Sequence, residues 1–230
     1  MKRMIIVPLG LLLLLAGSAA ASPLCGSGAV GNGLDAFIAN YAGFDNACLI
    51  GDKLFYNFDF KVNGGTVTPN ATGAGINITA DATSPVADPG LRIQTGEFFL
   101  FAGQTLDVTI TYSVATASGS ALIEDYGLVL AGGNGNTNGV GTVTESFSNA
   151  GPLTAGFGPG AAGVSGAHLS FTPFIVGTTV STHIQENAGT GQIDVSYIQE
   201  NFSEVIPEPY AAVLIGSGLV LLGLRRKRAA

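Results

Sequence analysis

Tryptophan is absent from this chain, and histidine and cysteine occur only twice each. Without tryptophan, the largest aromatic surface for stacking a flat ligand is missing. With only His168 and His183, a metal centre of three or more histidines is excluded. Basic residues are also scarce. Six of the nine sit at the two ends, leaving Lys53, Lys61 and Arg92 between Ser22 and Ile206. Fifteen acidic residues share that interval, a balance of −12 against −7 for the whole chain. Such a surface repels nucleic acid and anionic lipid. No 20–50-residue period recurs, which argues against a β-helix or another solenoid.

What is present is concentrated at the ends. Lys2 and Arg3 precede an apolar run over residues 5–15, and Ala19, Ala20 and Ala21 follow. Basic residues, apolar core and small residues in that order form a cleavable secretory signal over residues 1–21, implying the Sec translocon and signal peptidase as partners. Cys25 is preceded by Ser22-Pro23-Leu24, which does not offer a small residue next to a lipidated cysteine.

At the other end, Pro207-Glu208-Pro209 leads into the uncharged stretch 210–224, and Arg225, Arg226, Lys227 and Arg228 close it. Fifteen helical residues span roughly 22 Å at about 1.5 Å each, short of a hydrocarbon core of about 30 Å. Local thinning or snorkelling by the flanking arginines closes the gap. The basic cluster resists translocation and stays in the cytoplasm. The two prolines hold Glu208 in extended backbone just outside the span, a form a protease cleft can bind.

This order of motif, span and basic stop resembles the PEP-CTERM sorting signal of bacterial envelope proteins. The resemblance implies that an exosortase, a membrane-embedded cysteine transpeptidase, recognises Pro207, Glu208 and Pro209 and removes the tail. It implies export, transient anchoring in the inner membrane by a single helix over 210–224, and a final place at the cell surface or outside the cell. The stretch Cys48-Leu49-Ile50-Gly51-Asp52-Lys53-Leu54-Phe55 is similar to the start of the β-rich body in some such proteins, where a cysteine pair leads into the first strand. That likeness brings no catalytic residues with it.

Residues 22–205 suffice for one domain with a sizeable core, and 206–230 form the sorting unit. Cys25 and Cys48 in an exported chain read most simply as a disulfide, closing a loop worth roughly 3 kcal/mol. A reactive thiol or metal pair is the alternative, but no histidine is near and the spacing fits no zinc pattern. Leu34, Phe37, Ile38 and Tyr41 recur at helical spacing, predicting one short helix. Two alternating runs then predict half-buried strands. In the first, Leu54, Tyr56, Phe58, Phe60 and Val62 face one way; in the second, Leu106, Val108, Ile110, Tyr112 and Val114 do. Shorter strands are expected over 75–80, 91–94, 97–101, 121–130, 141–147, 167–171, 178–185 and 192–199, with turns at Asn63-Gly64-Gly65 and Asp88-Pro89-Gly90. The expected fold class is mainly β: a β-sandwich or jelly-roll-like ectodomain with one N-terminal helix, plus the C-terminal transmembrane helix.

No spacing reaches a catalytic signature, and no cofactor or metal is implied. A metal site would need both histidines and an acid such as Glu186. Serine chemistry would have to start from Gly163-Val164-Ser165-Gly166-Ala167-His168, which lacks the strand–elbow–helix setting. Glu124 and Asp125 are adjacent and face opposite sides of a strand. A glycosidase would pair carboxylates from Glu97, Glu145 and Glu186 across strands. Gly132-Gly133-Asn134-Gly135-Asn136-Thr137 has Thr137 where a calcium-binding nonapeptide needs aspartate, and reads as a hairpin loop. Asn70, Asn77 and Asn201 open N-glycosylation acceptor patterns. The sequence therefore leads to a non-enzymatic envelope or matrix protein, structural or associated with extracellular polysaccharide in a biofilm. A carbohydrate-binding module presenting Tyr112, Tyr126 and Tyr197 is the second expectation, and a hydrolase the third.

Overall fold

A computed structural model describes residues 22–26, 32–81, 88–117, 121–134, 138–158 and 163–205. The secretory segment 1–21 and the whole sorting unit, with Pro207, Glu208, Pro209, the 210–224 span and Arg225, Arg226, Lys227 and Arg228, lie outside the described residues. Among the described residues, no helix is long and apolar enough to cross a membrane.

The chain forms two antiparallel sheets and one short helix. The first sheet contains β1 (Cys48–Ile50), β2 (Lys53–Gly65), β6 (Thr105–Thr116), β8 (Val140–Phe147), β9 (Ala150–Phe157) and β11 (Gly177–Asn187), in the order β1-β2-β6-β11-β8-β9. The second contains β3 (Asn77–Asp81), β4 (Gly90–Gln94), β5 (Phe99–Leu100), β7 (Leu122–Asn134), β10 (Gly163–Ile175) and β12 (Ile193–Val205). Its order is β10-β7-β12-β4-β3, with β5 also paired to β12. From β5 to β12 the chain changes sheet at every step except the β8–β9 hairpin. Neighbours in sequence are thus rarely neighbours in a sheet.

Each strand offers one apolar row, and the rows meet between the sheets. Val108, Ile110, Tyr112 and Val114 of β6, Val180 and Ile184 of β11, and Leu128, Leu130, Ile198 and Phe202 of the second sheet are buried in one core. α1 (Leu34–Asn40) closes the side between β2 and β3. Leu34 and Phe37 are its buried face, and the Phe37 ring meets Phe58 edge-on at 5.0 Å.

β2 departs from the expected strict alternation. Asn57 takes a positive φ of 55°, and the register to β6 slips between Tyr56 and Asp59. This bulge inserts an extra residue, so the inward row runs through Phe55, then Phe58 and Phe60, while Tyr56 is half-exposed. The turn expected at Asn63-Gly64-Gly65 is instead the end of β2, held by pairing to β6. Gly132, Gly133 and Asn134 belong to β7 rather than to a hairpin loop, and β8 lies in the other sheet, while residues 135–137 of the expected loop lie outside the described residues.

Cys25 and Cys48 form a disulfide with their Cα atoms 4.7 Å apart. The Leu49 N–H donates to the Pro23 carbonyl at 2.7 Å and the Cys25 N–H to the Leu49 carbonyl at 3.2 Å, so backbone bonds and disulfide together tie the N-terminal segment to β1. Alkylation of freshly exported protein without reduction is expected to leave both cysteines unmodified. Two alkylated cysteines in the intact mass would contradict the pairing.

Lys53, at the start of β2, is completely buried. Its Nζ lies 2.6 Å from Asp52 Oδ1 and 2.9 Å from Glu204 Oε2, linking the first long strand to the end of the last. Burial opposes ionisation of Asp52, but hydrogen bonds with Glu204 and Lys53 and the lysine charge outweigh it and hold its pKa below the ordinary value. Glu204 moves up, first through its contact with Asp52 and then through burial.

Candidate functional site

The densest chemistry lies between the sheets. Glu145 of β8 and Thr182 of β11 are direct partners in the first sheet. Glu200 of β12 reaches them from the second. The Thr182 hydroxyl is 2.9 Å from Glu145 Oε2 and 3.0 Å from Glu200 Oε1, and Tyr112 donates a short hydrogen bond to Glu200 Oε2. Gly90 lets β4 approach at this point, since a Cβ there would lie 1.8 Å from the Glu200 carbonyl oxygen.

Proton counting decides the state of this cluster. Thr182 has one hydroxyl proton and two carboxyl neighbours, so it can donate to only one of them. The other contact needs a protonated carboxyl as donor. Desolvation, then the nearby Glu200 charge, pushes Glu145 well above the usual carboxylate range. Burial raises Glu200 to about 7, against hydrogen bonds from Tyr112, Thr182 and Glu145 that favour its ionised form. Once Glu200 ionises, at about pH 7, the consistent arrangement is a protonated Glu145 donating to Thr182, which donates to Glu200, while Tyr112 donates to the other Glu200 oxygen. Desolvation first, and the carboxylates next, also raise Tyr112 and Tyr126 well above their ordinary values, so both remain neutral. The Tyr126 hydroxyl and Glu145 Oε1 complete no hydrogen bond of normal geometry, although each senses the other electrostatically.

These two carboxyl groups are not the pair expected from sequence. Glu145 finds Glu200, rather than Glu97 or Glu186, and both members have no exposed surface. In this conformation a substrate cannot touch them. Glu97 lies between β4 and β5, where its Oε2 accepts from the Asn70 N–H at 3.2 Å. Glu186 is on the inward row of β11 at 3 % exposure. Desolvation, helped by Asp194, raises it to about 8. The Val195 N–H pulls in the opposite direction, but neither Glu186 oxygen completes a hydrogen bond.

The histidines do not meet. His168 is on β10 in the second sheet, 3.2 Å from Asp125, and His183 is on β11 in the first, 2.7 Å from Asp107. The inward row that carries Glu186 also faces away from His183. The metal site that would combine all three is therefore not formed, and no cluster of three or more metal-ligating side chains occurs among the described residues. The 163–168 stretch is continuous strand, with no elbow for a serine nucleophile. Tyr112 and Tyr126 are fully buried rather than displayed for a glycan. Tyr197 is half-buried beneath the Arg92 guanidinium, 4.1 Å from its ring centroid. Of the acceptor asparagines, Asn70 closes its own turn by accepting from Thr72, Asn77 is exposed, and Asn201 donates to Asp81 at 2.8 Å.

A second polar cluster lies on the outer face of the first sheet. Asp107 of β6 accepts from Asn63 at 3.0 Å on Oδ1 and from Gln185 at 3.1 Å on Oδ2, and His183 Nε2 completes the set. Partial burial opposes its charge, but these three partners outweigh it and hold the carboxylate below its usual range. A cleft of about 480 Å³ opens beside it. Sequence reading named His183 without Asp107, because their juxtaposition depends on β11 pairing with β6.

No family model matches the sequence, and no curated protein matches it. Several solved structures show a distant likeness. One is TmCBM61 in complex with β-1,4-galactotriose, with 8% identity and a TM-score of 0.31 over 57% of this chain and 88% of that one. Another is the enzymatically active domain of tailspike protein 4 from bacteriophage CBA120, with 9% identity and a TM-score of 0.31. There the match covers 65% of this chain but spans only 19% of the tailspike chain. At these values neither likeness bears on substrate or mechanism.

Proposed function

We infer that the chain is an exported envelope protein whose C-terminal tail is recognised and removed, leaving a non-enzymatic β-sandwich body at the cell surface or in the extracellular matrix. The observation that carries this reading is the order of Pro207-Glu208-Pro209, the uncharged stretch 210–224 and the basic run Arg225, Arg226, Lys227 and Arg228. An exosortase-type transpeptidase is the processing partner, after export through the Sec translocon and cleavage by signal peptidase. The Cys25–Cys48 disulfide suits an oxidising compartment. The body's acidic balance of −12 favours solubility in a hydrated matrix.

The folded body supports the non-enzymatic part. Its closest carboxyl pair, Glu145 and Glu200, is sealed between the sheets and joined through Thr182. β12 ends at Val205, and Glu204 is fastened to Lys53, so folded structure extends to within two residues of the motif. Fractionation of a host that carries an exosortase tests the reading. The body is expected outside the inner membrane, soluble and with a far-ultraviolet spectrum dominated by strand. Retention of the whole pool in the cytoplasm would refute export.

A further inference from the structure

We propose that the cleft beside Asp107, on the outer face of the first sheet, binds a neutral polysaccharide chain through hydrogen bonds. This rests on the envelope reading above and names the class of matrix polymer the body would hold. Thr105, Asp107, Thr142, Gln185 and Asn187 are the polar lining of the cleft, at one end of β2, β6, β8 and β11, and Gly65, Leu106, Val140 and Glu186 complete it. Its volume of about 480 Å³ falls within the range typical of small-ligand sites.

The side chains are held in place before any ligand arrives. Asn63 donates to both Asp107 at 3.0 Å and Thr109 at 2.8 Å, and Gln185 donates to Asp107 at 3.1 Å. Asn63 spends both N–H groups of its amide on the protein, and Gln185 spends one. The amide oxygens of Asn63 and Gln185, the Thr142 hydroxyl and the second ring nitrogen of His183 take no hydrogen bond from the described residues. Acceptors and donors therefore stand together on a fixed frame, as vicinal hydroxyl groups require.

The surface continues beyond the cleft. Sheet register places Lys61, Thr109, His183, Thr144 and Thr154 side by side across β2, β6, β11, β8 and β9, and Asp59, Thr111, Ser181 and Ser146 form the next row. Neighbouring strands are about 4.8 Å apart, so these rows form a regular polar grid, mostly of hydroxyl groups, with no large apolar side chain among them. A track of this kind suits an extended polymer better than a single sugar. Charge selects among polymers: Asp59 and Asp107 outnumber Lys61 on this face, and with the acidic body they disfavour uronates, sulfates and phosphates. Without exposed aromatic stacking on this track, affinity comes from hydrogen bonds repeated along the chain.

The test uses the full chain purified in detergent and affinity electrophoresis through gels containing soluble β-glucan, galactan, mannan or alginate. At least one neutral polymer is expected to retard the protein, and the acidic alginate is not. Gln185→Ala and Thr144→Ala, both at outward positions, should each weaken retardation about tenfold while keeping the wild-type unfolding midpoint. Asp107→Ala should weaken it further, and Gln185→Ala remains decisive if that variant fails to fold. The proposal is overturned if no neutral polymer retards the protein, if alginate does so better, or if the cleft variants bind like wild type. None of these outcomes touches the tail, whose processing is read separately from its mass.

Discussion

Stability of the exported body is expected to fall as pH rises from about 4.5 to about 8. The sign follows from the buried carboxyl groups. In the unfolded chain Glu145, Glu186 and Glu200 ionise near 4.5, whereas in the folded protein Glu200 keeps its proton to about 7, Glu186 to about 8, and Glu145 well above the ordinary range. Between those limits the unfolded state holds fewer protons, so raising the pH favours it. The stabilisation is complete below the unfolded value and is lost as pH climbs through each folded value. For Glu200 alone the loss amounts to about 3 kcal/mol. Asp52 and Asp107 act in the opposite direction: their depressed values add stability above the unfolded pKa, and it disappears as pH falls through the folded one. The optimum should therefore lie in mild acid, at about pH 4–5. Glu200→Gln tests the cause. Its amide oxygen can accept from Tyr112 and its NH₂ can donate to Thr182, freeing the Thr182 proton for Glu145. At pH 8 this variant should be more stable than wild type by about 3 kcal/mol, and at pH 4.5 nearly equal. Urea denaturation at both values decides it, and a flat or rising wild-type profile contradicts the protonated cluster.

Glu208→Ala should leave export unchanged and cause full-length, membrane-bound precursor to accumulate. Glu208 is the one charged residue between Val205 and the apolar stretch 210–224, and prolines flank it on both sides. A basic group of the processing enzyme that pairs with it loses about 2–5 kcal/mol when the partner is truncated. That corresponds to a slowing of about 30-fold or more. Replacing Arg225, Arg226, Lys227 and Arg228 with neutral residues should act differently, letting the tail slip through or invert because the stop charge is gone. Pulse-chase labelling with membrane fractionation separates the two defects. Normal processing of Glu208→Ala would remove the motif from the account.

Much of the fold was legible because the strand period is so regular. The β6 row of Leu106, Val108, Ile110, Tyr112 and Val114 is inward as its alternation requires, and the helical spacing of Leu34 and Phe37 matches the buried face of α1. Two misreadings have local causes. The bulge at Asn57 put Phe55 inside and Tyr56 outside, and an inserted residue leaves no mark in a run of alternating aromatics. β9 was not foreseen, because glycine and proline in its sequence AGPLTAGF resemble a turn. Strand order was invisible, since pairings such as β7 with β12 join segments far apart in sequence.

The carboxyl cluster did leave a signal. Glu145 lies between Val143 and Phe147, Thr182 between Val180 and Ile184, and Glu200 between Ile198 and Phe202, each at every second residue. A polar residue in the inward phase of an apolar row is buried and must find a partner. Three of them in different strands could have been taken together as one interior network. Which sheet each strand joins, and hence that Glu200 meets Glu145, comes only from the folded chain. Asp107 gave no such signal, as it occupies an ordinary outward position in β6.

The most direct test of the central claim is the intact mass of the mature protein recovered from a host with an exosortase and from a host without one. The account predicts a chain lacking residues 1–21 in both, and lacking the span 210–224 and everything after it only in the first. A protein that keeps Ala230 in the exosortase-bearing host would show that the span is a permanent anchor, and the sorting account would be wrong.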